Sequence, residues 1–292
     1  MEGLAPIEPL GLLAIFAKAS GYAAALLAMG GPLFLVSFRN APEATLALAR
    51  KIAIVAALVG LAILAVRFGI RAARISGMGF SGAIDPMMLG FVWDSPLGDA
   101  ALLRGVGQVL VLGLIFKGMI GLGAGLVGTL LIAASYTFVG HSLGDPRWLL
   151  ASLLTVHLLA AAYWVGALAP LHRAAGSQTG ADLLHRFGLI ASGTVALLVI
   201  VGVTFAWIMV ESLSGLVTTA YGWTLLAKVA VVSGLMGLAA LNKLKFVPAL
   251  AANHPGATLH LRRSIKVEII AVVLILLITA TLTSVTTPPV NL

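Results

Sequence analysis

Long apolar runs alternate with short polar connections along the chain, and the length of the runs sets the architecture. A helix rises 1.5 Å per residue through roughly 30 Å of hydrocarbon, so about 20 apolar residues make one crossing. Runs of this kind lie near 9–37, 51–70, 98–116, 119–139, 147–169, 186–210, 221–242 and 265–286. The pattern predicts an all-α fold: a polytopic integral membrane bundle of about eight transmembrane helices, forming a single domain over residues 1–292. The first run is long enough to tilt or to extend past the bilayer. It lacks a basic leading segment and a small-residue cleavage site, so it reads as a retained span and not a signal peptide. The third and fourth runs are parted only by Lys117–Gly118. The longest connection, about 71–97, contains an apolar stretch at 84–93 bounded by Gly, Pro and Asp; this predicts a short helix lying against the membrane.

Composition agrees with the pattern. The chain is 60% hydrophobic and 10% charged, against roughly 25% charged in a soluble domain, so polar residues are too few to cover a water-facing surface. The net charge of +8 does not point to nucleic acid, because the basic residues are scattered over short loops. Eleven of them follow odd-numbered spans, and four lie on the opposite side. Cytoplasmic loops favour Lys and Arg, which puts both termini outside the cytoplasm. Arg67, Arg71 and Arg74 are the discordant group; their long side chains snorkel or pair with Asp85, Asp94 or Asp99. The absence of cysteine leaves Met and His as the ligands for any soft metal.

Five ionisable residues fall inside the spans: Lys18, Arg104, His157, Lys228 and Glu268. A charge at mid-bilayer costs at least about 2.5–3.5 kcal/mol, so such groups face the bundle interior and mark a pathway or a partner. Glu268 and Lys228 come from consecutive spans and are the simplest buried pair, with Lys18 and Arg104 as competing partners. No nucleophile–base–acid set, phosphate loop or HExxH motif is present, so no enzymatic activity is expected.

The order of several short motifs resembles the CopD family of copper-resistance and copper-transport membrane proteins. The fourth span ends in Ser135-Tyr136-Thr137-Phe138-Val139-Gly140-His141, like the family's Gly-His pair. The fifth carries His157 followed by Tyr163-Trp164-Val165-Gly166-Ala167-Leu168, like its His…Trp-x-Gly-x-Leu signature. The seventh reads Tyr221-Gly222-Trp223-Thr224-Leu225-Leu226-Ala227-Lys228, then Leu241-Asn242-Lys243 and Pro248; the eighth reads Leu261-Arg262-Arg263, Glu268, Thr283 and Pro288-Pro289. The first half follows the pattern less closely, with Lys18 standing where an Arg is expected. The resemblance implies an eight-helix protein handling copper at or across the membrane with a periplasmic carrier of the CopC type.

Cuprous copper takes imidazole and thioether ligands, so His141 and His157 are the candidate stations, with Met87 and Met88 on the long connection as weaker ones. Counted from the turn near 144–146, the two histidines differ in depth by roughly 12 Å. That offset is too large for one coordination shell and suits two stations of a path. Trp164, seven residues beyond His157, shares its helical face and could contact a cation through its ring. The alternative is a b-type haem electron-transfer protein with intramembrane His ligands, although the same depth offset opposes pairing these two on one iron.

Overall fold

A computed structural model of the chain describes residues 9–140, 146–210 and 214–284, with the side chains of 206, 208–210 and 215 left aside. The elements are α1 (Pro9–Ser37), α2 (Glu43–Ser76), the short α3 (Pro86–Trp93), α4 (Pro96–Leu112), α5 (Met119–Ser135), α6 (Arg147–Ala174), α7 (Gly180–Val210), α8 (Gly215–Thr218), α9 (Ala220–Leu241), α10 (Val247–Ala251) and α11 (Ala257–Leu282). Eight helices are long and apolar enough to cross a membrane, and the chain is an all-α polytopic membrane bundle. Four helices clearly outrun their predicted spans: α2 starts at Glu43 and runs to Ser76, α6 runs on to Ala174, α7 starts at Gly180, and α11 starts at Ala257. The reason is physical. Hydropathy reads the thickness of the oily slab, whereas a helix continues into the polar zone as long as its backbone bonds close, as it does through Arg262, Arg263 and Lys266. The break between the third and fourth spans falls where expected, and Gly118 makes it by taking φ +95, which an L side chain rarely adopts. The short helix also forms: the Asp85 carboxylate accepts the Met88 amide at 2.9 Å and Pro86 opens the first turn.

Helix α1 is the hub, packed against α2, α4, α5, α6 and α11. Apolar side chains gain little from leaving lipid, so close backbone approach at small residues does much of the holding. One such crossing is α1 on α6, where a Cβ on Gly30 would stand 2.5 Å from both the Gly166 Cα and the Ala162 carbonyl. In contrast, α9 rests mainly on α11, while α7 leans on α6 and α10. A cleft is left between α7 and α9, backed by α6 and α11.

One local irregularity shapes that cleft. Pro248 has no N–H to donate, and its ring would crowd the carbonyl four residues back. The chain answers with a π-helical stretch at Asn242–Phe246, in which the Val247 N–H reaches back to the Asn242 carbonyl. Such widened turns recur at functional sites. Here it carries Asn242 at the back of the cleft.

Candidate functional site

Three helices converge on one carboxylate. Glu268 of α11 is 4% exposed; its Oε2 accepts the indole N–H of Trp164 (α6) at 3.4 Å, and its Oε1 accepts the Asn242 side-chain amide at 2.5 Å. The other polar atom of that amide, Asn242 Oδ1, is buried without a partner among the described residues. The trio lines a cleft of about 370 Å³, together with Phe187, Ser192 and Lys243. Phe187 meets the Trp164 ring edge-on at 6.4 Å, and Lys243 reaches across the mouth to the Ser192 hydroxyl at 2.5 Å. Glu268 thus has two hydrogen-bond donors and, among the described residues, no counter-charge at bonding distance. A buried carboxylate in that state leaves room for a proton or a cation, and the orphaned Asn242 oxygen adds a second acceptor.

The expected ion pair of Glu268 with Lys228 is not made, nor is one with Lys18 or Arg104. Depth explains it. Lys228 stands 23 residues from the Ala251 end of its span and Glu268 11 residues from Ala257, so at 1.5 Å per residue they lie roughly 18 Å apart along the bundle. The charge of Lys228 instead acts on His157. His157 is half-buried, and its Nδ1 is enclosed without a partner among the described residues. It precedes Trp164 by seven residues, about 10 Å along one face of α6. His157 and Glu268 therefore occupy two levels of the same seam.

Lys18 and Arg104 belong to a second polar group, near the start of α1 and the end of α11. Lys18 Nζ donates to the Thr283 carbonyl at 2.6 Å, and the Tyr22 and Thr283 hydroxyls lie 3.4 Å apart. The Tyr22 and Tyr136 rings are 5.8 Å apart, and the Arg104 guanidinium sits 3.8 Å above the Tyr136 ring while its Nε donates to Ser135 Oγ at 3.0 Å.

The remaining candidates are not drawn into either group. His141 lies outside the described residues. Met87 is exposed and Met88 half-buried on α3, which packs on α2 and α4 and away from the seam. Among the described residues no three His, Cys, Asp or Glu side chains gather as a metal cluster. Asn242 is the participant that sequence reasoning left without a role. Its signal was available in the Asn-Lys…Pro spacing, since Pro248 forces the turn that aims Asn242 inward.

Two family models match the chain. One, described as Copper resistance protein D-like, N-terminal domain, covers residues 8–149, and the other, described as Copper resistance protein D, covers 181–282. Lys18 and Arg104 fall in the first match, and Lys228, Asn242 and Glu268 in the second. His157 and Trp164 lie in the stretch between them. No curated protein and no solved structure matches the chain.

Proposed function

The chain belongs to the copper resistance protein D family, and from that premise we propose that it conducts copper across the membrane along the α6 seam, from His157 to the cleft of Glu268. It is a multi-pass copper-resistance membrane protein; route, partner and orientation are the proposal. The carrying observation is the Glu268 carboxylate, enclosed by three helices and, among the described residues, lacking a counter-cation. His157 offers copper the soft nitrogen it prefers, Trp164 an aromatic face, and Glu268 the negative charge that offsets the ion's own in a low-dielectric cleft. The excess of basic residues on loops after odd-numbered spans supports a cytoplasmic membrane location with both ends outside. On that orientation the cleft lies in the cytoplasmic half, and a periplasmic CopC-like carrier presents copper at the far end. The haem alternative has no support from either family match.

Copper uptake by proteoliposomes tests the reading. The parent protein should take up copper, and His157→Ala should lose most of that uptake at equal insertion. Equal uptake by parent and variant removes His157 from the route.

A further inference from the structure

The second polar group has a property that copper handling does not use: among the described residues its charged members are all cations. Arg67, Arg74 and Arg71 act on Lys18 through their charge, and Arg67 also acts on Arg104. The Arg67 Nη1 lies against Gly21, 3.2 Å from where a Cβ would sit, one residue from Tyr22. Arg104 is 6% exposed, and among the described residues no carboxylate joins it, Lys18 or Arg67 at bonding distance. All three stand at one level. Lys18 is nine residues into α1, Arg104 eight residues into α4, and Arg67 nine residues from the end of α2, each about 12–14 Å from its helix end. Three cations at one depth within apolar helices repel one another, and burial without a counter-charge is costly.

We propose that Lys18, Arg67 and Arg104 form a binding site for a phosphate-bearing anion, whose natural source is the headgroup of an anionic phospholipid. Guanidinium forks match phosphate oxygens two at a time, and an anionic headgroup at the membrane surface presents such oxygens to basic side chains. The surroundings favour a lipid. Arg67 is half-buried at the edge of the bundle, with Arg71 and Arg74 exposed one and two turns further on. The connection after α2 folds back along it, bringing the Ala83 carbonyl against Gly69, and α3 lies across α2 and α4, which carry Arg67 and Arg104. That connection exposes Phe80, Ile84, Met87, Phe91 and Trp93, the apolar side of an element that rests in the interface beside acyl chains. The discordant arginines thus gain a reason: they mark a headgroup site.

Thermal melting of the purified full chain in neutral detergent tests the site. Short-chain phosphatidylglycerol should raise the midpoint by several degrees, whereas short-chain phosphatidylcholine, whose choline offsets its phosphate, should not. Arg67→Gln should lose more than half of the shift. An equal shift with inorganic phosphate alone supports the same site and makes free phosphate the source. No shift with either phosphate probe overturns the proposal, as does an undiminished shift in Arg67→Gln. A shift produced only by a polyglutamate peptide overturns it in favour of an acidic protein partner. The comparison of lipids on the parent chain stands even if the variant fails to fold.

Discussion

The cationic group at the start of α1 and the cleft around Glu268 are built from the same long helices, yet they hold charge in opposite ways. At the first, the cations Lys18, Arg67 and Arg104 stand at one level, with Tyr136 under the Arg104 guanidinium, the Thr283 carbonyl accepting from Lys18 and the Ser135 hydroxyl accepting from Arg104. At the second, one carboxylate is held by an indole and an amide, with an amide oxygen left over. The difference teaches where a cation can rest. Positive groups raise the energy of a copper ion at one end and the carboxylate lowers it in the cleft, and both effects grow as the dielectric falls. An anion filling the cationic group would lessen the first effect without touching the second.

The largest expected effect comes from removing the acid's charge. Glu268→Gln keeps an oxygen to accept from Trp164 or Asn242 but carries no charge, and copper uptake should fall more than tenfold at unchanged insertion. Glu268→Ala goes further, leaving the Trp164 and Asn242 donors unpartnered at about 1–3 kcal/mol each. The two variants separate charge from packing when uptake and melting are read together. A Gln variant with parental uptake would mean that the carboxylate is structural only.

A second perturbation couples the two regions. Gly30→Leu forces α1 off α6, because the added side chain meets the Gly166 and Ala162 backbone. Overpacking of this kind costs about 1–3 kcal/mol or more, and because α1 carries Lys18 while α6 carries His157 and Trp164, both regions should loosen together. Selective loss at one of them would show that α1 does not tie them.

The smallest effect concerns sign alone. The charge of Lys228 acts on His157, so Lys228→Gln removes a positive charge that a copper ion there would feel and should increase uptake severalfold. Decreased uptake would give Lys228 a positive role in transport.

Much of the frame was legible in the sequence. Hydropathy located the crossings, Lys117–Gly118 the break after α4, and 84–93 the short helix. The five intramembrane ionisable residues were recognisable from their cost, but their partners were not. The consecutive spans of Lys228 and Glu268 do pack together, but counting residues from the helix ends separates the two side chains. The convergence of Trp164, Asn242 and Glu268 depends on a π-turn and on the crossing of three helices. Neither leaves a hydropathy signal. Arg67 read as a snorkelling side chain because its place beside Gly21 exists only once α1 and α2 have packed.

Whether copper visits the cleft can be read from Trp164 itself. With Trp93, Trp148, Trp207 and Trp223 replaced by Phe, the one remaining indole reports on Glu268's surroundings. Copper should quench its fluorescence saturably, and Glu268→Gln should weaken that quenching by at least tenfold in concentration. Steady uptake of copper with the Trp164 emission unchanged would contradict a route through this cleft.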